Sequence, residues 1–219
     1  MIYLLMILSC ITMLIDHIGL VFFSSSPIWR IIGRLAMPIY AYFIATGYEH
    51  TSDIGKYIKR IALTAVASQI PFMLMLDVKN LNMCFAWLIS LIIIYGIDRR
   101  NYRVLALGAV IAVLVLLTIS VDYSFYGICM PLLFYIRNKT DAVYRDIFVF
   151  SGMILLTIPL GNIIQFSAVL AVPFIIIAEK LKKTRTANKV VKRCYQWFYP
   201  AHMVILVALR GIITVAYRT

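Results

Sequence analysis

Apolar runs dominate the chain and are broken at intervals by short polar connectors, a rhythm that predicts an all-α protein with nine membrane helices. The runs cover about 2–23, 30–48, 57–76, 81–97, 103–120, 124–136, 144–160, 163–179 and 196–216. About 20 apolar residues span the hydrocarbon of a bilayer, so the sixth run is short for a crossing. In the first run Ser9, Thr12, Asp16 and Gly19 recur at i, i+3, i+7 and i+10, on one face of a helix. A face of small and polar groups packs against other helices and turns its back to lipid. Pro38, Pro71, Pro131, Pro159 and Pro173 fall inside these runs. Proline is tolerated in membrane helices where neighbours satisfy the freed carbonyl.

Charge then sorts the connectors. Lys56, Lys59 and Arg60; Arg99, Arg100 and Arg103; Arg137, Lys139 and Arg145; and Lys180, Lys182, Lys183, Arg185, Lys189, Lys192 and Arg193 make 16 of the 21 Lys and Arg. They flank the second, fourth, sixth and eighth connectors, which nine helices place on one side. The positive-inside rule makes that side cytoplasmic, with the N-terminus inside and the C-terminus outside. The composition agrees: 63% hydrophobic residues, only 14% charged and a mean hydropathy of +0.93 describe an integral membrane protein, read as a single domain over 1–219. A net charge of +12 suggests nucleic acid at first, but collection of cations in cytoplasmic loops explains it, and no nucleic-acid partner is expected. Cys10, Cys84, Cys129 and Cys194 stand apart, so neither a disulfide framework nor a metal site is implied. With no basic n-region, and with Asp16 and His17 interrupting the apolar core, the first run reads as a retained helix.

Those two residues are the sharpest candidates for chemistry. A charge at mid-membrane costs about 2.5–3.5 kcal/mol on insertion scales, so an intramembrane carboxylate beside an imidazole marks a functional site by default. The nine-helix topology puts Asp16, His17, Arg30, Arg34, Gln69 and Arg210 in the outer half of the bundle, with Asn82, Asp122, Asn162 and Gln165 at outer ends. His202 is the exception, in the inner half beside the most basic loop. Each has a plainer reading. Arg30 alone is an interfacial anchor, Arg34 a buried partner for Asp16, Gln69 interhelical glue, Asp122 a turn residue and Tyr126 part of an aromatic belt. The basic run 180–193 suits anionic lipid, or less readily a nucleotide phosphate.

Five motifs carry a family resemblance: LIDHIG at 14–19, RIIGRLAMPIYAYFIATGYEHT at 30–51, YIKRIALTAVASQIPF at 57–72, DYSFYGI at 122–128 and WFYPAHM at 197–203. Together they span nearly the whole chain, and the sequence resembles the TraX family, known for N-terminal acetylation of conjugative F-type pilin. More loosely it resembles the membrane acetyltransferases that include heparan-α-glucosaminide N-acetyltransferase. The resemblance implies a multi-pass protein of the bacterial cytoplasmic (inner) membrane, with acetyl-CoA as donor substrate and an essential histidine near the first helix. The acceptor is a pilin-like peptide or a surface glycan. On this reading Asp16, His17 and Arg34 are the candidate catalytic residues, His17 as base or acyl carrier and Asp16 as its orienting partner. Arg30, Gln69, Asp122, Tyr126, His202 and Arg210 are candidates for binding substrate or donor, with His202 and the loop 180–193 at the CoA end. A small transporter and a non-catalytic assembly subunit are the rival classes, since intramembrane Asp, His and Arg also build ion paths. The sequence leaves the acceptor and the oligomeric state open.

Overall fold

The computed structural model describes residues 2–141, 143–181 and 188–216. Among them the architecture is a bundle of helices with no strand, only an isolated bridge between Leu81 and Val121. The helices are α1 (Ile2–Phe22), α2 (Pro27–Gly33), α3 (Ala36–Glu49), α4 (Ile54–Leu76), α5 (Met83–Asp98), α6 (Tyr102–Thr118), α7 (Ser124–Lys139), α8 (Arg145–Thr157), α9 (Ala171–Lys180) and α10 (Lys189–Ala216). A 3-10 turn, Ile158–Leu160, extends α8, and another, Ile163–Leu170, leads into α9.

All nine expected runs are present, with two changes. The second run is split into α2 and α3 at Arg34–Leu35. Pro38 has no N–H to give the Arg34 carbonyl, so the helical ladder loses a bond at this point. The Arg34 and Leu35 amides bond back to Arg30 (3.0 Å) and Ile32 (3.3 Å), closing α2 with a tightened turn. The last run starts at Lys189 instead of near 196. Its first turns carry exposed Lys189, Lys192 and Arg193, good helix formers that an apolar pattern does not register.

Among the described residues, five segments are long and apolar enough to cross a membrane: Ile2–Phe22, Pro27–Glu49, Ile54–Leu76, Ile163–Lys180 and Lys189–Ala216; α5 and α6 are apolar but shorter. The short sixth run, α7, buries most of its circumference, from Tyr126 through Arg137. A helix apolar on most sides belongs inside a protein core.

By packing, the chain sorts into two compact units that interleave along the sequence, one of residues 1–39, 66–78 and 163–219 and one of 40–65 and 79–162. In the first, α1 packs against α2, α9 and α10. The stripe Ser9, Thr12, Asp16 and Gly19 is buried as expected, while Leu4, Ile7 and Ile11 on the opposite face are exposed. In the second, α7 lies between α5 and α8. Ser90 of α5 donates to the Ile128 carbonyl of α7 (2.6 Å), and Asn82 caps α5 while its Nδ2 donates to the Ala65 carbonyl (2.7 Å). At one end of this unit the Tyr48 and Tyr135 hydroxyls both donate to Asp98 (3.1 and 2.8 Å), and Arg137, 1% exposed, pairs with Asp146 (2.8 Å).

Candidate functional site

The candidate site lies in the first unit, on the inward face of α1. That face pairs with α10 in a constant register. The Tyr3 hydroxyl receives the Asn188 amide (2.9 Å), Ser9 meets the Tyr195 hydroxyl (3.0 Å), and His17 meets His202. Partner numbers rise together, so α1 and α10 run parallel. Parallel first and last spans require an odd number of crossings, as nine gives.

His17 Nδ1 and His202 Nε2 lie 2.7 Å apart. The two rings are 8° from parallel with centroids at 4.9 Å. Face-to-face rings cannot bring their atoms to 2.7 Å, so the rings meet edge to edge, nearly in one plane. His202 Nδ1 is in turn 2.7 Å from the carbonyl of Phe198, one helical turn earlier, and the Phe198 ring covers His202 at 5.0 Å. Both histidines are buried.

Asp16 faces α2. Its Oδ2 accepts from Arg30 Nη1 at 2.7 Å, with the side chains 8% and 24% exposed respectively. Oδ1 is buried and makes no hydrogen bond to a described residue. The backbone of Gly33 lies directly against this carboxylate, and a Cβ there would collide with it. Gly19 meets the base of Trp29 with the same closeness. Two glycines thus let α1 and α2 approach until the Asp16 head reaches Arg30, as small residues do in membrane helix pairs. Arg34, 6% exposed, ends α2 within electrostatic reach of Asp16 and His17.

Several expectations need correction. His202 is not in a separate inner layer several turns from His17. At 1.5 Å per residue His17 lies about 22 Å along α1 and His202 about 20 Å along α10, the same depth. The early start of α10 accounts for the difference. Arg30 is more than an interfacial anchor: it forms an ion pair with Asp16, and Arg34 follows one turn later, its amide still bonded to the Arg30 carbonyl at 3.0 Å. Asp16 therefore holds Arg30, and the partner of the His17 ring is His202.

The other candidates lie further along α10, on α4 or in the second unit. Arg210, exposed, donates to the Met75 carbonyl (3.2 Å), and Gln69 is half-buried on α4. Asp122 and Tyr126 belong to the second unit. The Asp122 amide bonds the Leu81 carbonyl (2.9 Å), and Tyr126 is fully buried at the start of α7. Of the basic run, Lys180, Lys189, Lys192 and Arg193 are exposed, while Lys182, Lys183 and Arg185 lie outside the described residues. Sequence reasoning missed Tyr195 and the Phe198 carbonyl. Tyr195, Tyr199, His202 and Leu206 at helical spacing were the available signal.

Comparison with known proteins gives two matches of different weight. A family model described as TraX protein matches residues 3–210. The probable fimbrial assembly protein FimC, serogroup H1, of Dichelobacter nodosus is 27% identical over 131 residues, 58% of this chain. The chain spans about half, 47%, of that relative's length. No solved structure matches.

Proposed function

Because the chain belongs to the TraX family, we propose that it is a membrane-embedded acetyltransferase of the bacterial inner membrane. It moves an acetyl group from acetyl-CoA, supplied on the cytoplasmic side, to the amino terminus of a pilin-like peptide at the outer side. The resemblance to pilin-acetylating proteins suggests the group and the acceptor, and the relative described as a fimbrial assembly protein supports a pilus context. The observation that carries the reading is the buried His17–His202 pair beside the Asp16–Arg30 ion pair, inside otherwise apolar helices.

The chemistry asks for a base that works away from water. His17 takes a proton from the acceptor amine as its nitrogen attacks the thioester carbonyl. The C–N bond forms, the C–S bond breaks, and His17 returns the proton to the departing sulfur, leaving an amide and a free thiol. A positioned base is worth about 10²–10⁴-fold in rate. Arg34, a buried cation near the imidazole, offsets negative charge growing on the carbonyl oxygen. Asp16 and Arg30 hold the α1–α2 corner that presents His17.

The test uses purified protein in nanodiscs, labelled acetyl-CoA and a membrane peptide with a free amino terminus. Label should enter that peptide and not the same peptide with a blocked terminus. His17→Ala should abolish transfer while keeping its thermal stability. Normal turnover by folded His17→Ala would remove the catalytic assignment. Label passing only to a surface glycan would move the acceptor from amine to hydroxyl.

A further inference from the structure

Two hydrogen bonds in series decide which nitrogen of His17 is the base. The Phe198 carbonyl can only accept, so His202 Nδ1, 2.7 Å away, carries a hydrogen. In a neutral ring the other nitrogen, Nε2, is then a lone pair. That lone pair faces His17 Nδ1 at 2.7 Å and must receive a hydrogen from it. By the same rule His17 Nε2 is left bare. The alternative, both protons on His202, would put a cation in an apolar site. The charged groups around the pair are Arg30, Arg34 and Asp16, and the carboxylate is engaged by Arg30. A charged imidazole would add a third cation beside Arg30 and Arg34 in an apolar site, which is costly.

We infer that His202 is a positioning residue: anchored by the Phe198 carbonyl, it holds the Nδ1 proton of His17, so that the Nε2 lone pair of His17 is the one offered to the acceptor. The role rests on the acetyl-transfer reading; the polarity of the chain of bonds rests on the two 2.7 Å contacts and the apolar surroundings that keep both rings neutral. The arrangement also gives the captured proton somewhere to go. When His17 Nε2 gains a proton, the Nδ1 proton passes to His202 Nε2. The charge then sits on a ring whose two N–H groups both have acceptors, the Phe198 carbonyl and His17 Nδ1. The return of the proton to the leaving sulfur reverses both moves.

The chain has three histidines, and the third, His50, is exposed with its Nδ1 at 2.9 Å from the Thr46 carbonyl. Nitrogen NMR of histidine-labelled protein in nanodiscs, with His50→Gln to assign that residue, therefore reads both site rings. His17 and His202 should each show a protonated Nδ1 and a bare Nε2. His202→Gln retains an acceptor where Nε2 stood, and should keep the His17 tautomer and much of the transfer rate. His202→Leu should release His17 to the other tautomer and lower kcat by about 10²–10⁴-fold with little change in KM, the scale seen when a base is held in the wrong tautomer. A protonated Nε2 on wild-type His17 overturns the inference, as does a folded His202→Leu variant with the wild-type His17 tautomer. The spectrum needs no turnover. Two Nδ1–H rings in a protein that transfers no acetyl group would support the polarity and sink the reaction.

Discussion

Removing the two halves of the Asp16–Arg30 ion pair should have unequal costs. Arg30→Gln leaves a carboxylate that is 8% exposed, with one oxygen already lacking a hydrogen bond and the other stripped of its partner at 2.7 Å. Breaking a buried pair from one side costs about 3–5 kcal/mol. Arg30 is 24% exposed, so water already weakens the pair and the lower end applies, about 3 kcal/mol. Asp16→Asn leaves a neutral amide on the packed side and a cation whose long stem lets its head reach the interface. Its cost should be that of one charged hydrogen bond at the lower end of the range, about 1.5 kcal/mol. The double variant should cost less than the sum of the singles, with a coupling of about 1–2 kcal/mol. Reversible unfolding of all four proteins in mixed micelles measures the cycle. Equal costs for the two singles, or strict additivity, would show that the pair is solvated and that α1 does not bury Asp16 against α2.

Four further outcomes follow from the packing and from the charge of the connectors. Gly33→Ala drives a methyl into the Asp16 carboxylate and should destabilise by about 1–3 kcal/mol, whereas Gly211→Ala, with open space around it, should be neutral or slightly stabilising in the same melt. Asp53 caps α4 by accepting the Lys56 amide at 2.9 Å, and this bond and the Lys56 ammonium hold its carboxyl below the ordinary aspartate range. Its stabilisation is therefore present above about pH 4 and lost as pH falls through the lowered value, so Asp53→Ala should lower Tm at neutral pH and converge on wild type in acid. With the native cysteines replaced, cysteines at Ser25 and Lys79 should react with an impermeant thiol reagent in spheroplasts and those at Ser52 and Asn101 should not; the reverse pattern inverts the topology. Spin labels on exposed Leu4 and Lys189 should lie close, and those on Leu4 and Leu209 about 30 Å apart, the length of 20 helical residues; interchanged distances would mean antiparallel α1 and α10.

Much of the fold is legible because membrane helices announce themselves through length and hydropathy. The inward stripe of α1 was legible for the same reason, since Ser9, Thr12, Asp16 and Gly19 have one helical face and lipid rejects three of the four. The errors arose where a local pattern had to stand for a tertiary fact. The second run reads as one continuous helix by hydropathy, whereas Pro38 removes a bond from its ladder and the helix breaks at Arg34–Leu35. Gly33 gave no sign of its role, because what a missing Cβ makes room for depends on Asp16 arriving from another helix.

The histidines show why depth cannot be read from one helix at a time. By hydropathy alone the last helix begins near residue 196 and the cations before it belong to a loop, which puts His202 near the cytoplasmic end. Lys189, Lys192 and Arg193 instead form the first turns of α10, which moves His202 to mid-helix. The parallel register then gives a nearly constant offset, 3 with 188, 9 with 195 and 17 with 202. One misplaced helix start was enough to separate two residues that share a hydrogen bond, and with it to assign His202 to a phosphate and Asp16 to an imidazole. The register corrects both together. A histidine held at 2.7 Å by another histidine does not need Asp16 to orient it, and Asp16 is free to secure Arg30 and the close α1–α2 packing on which the depth of His17 depends.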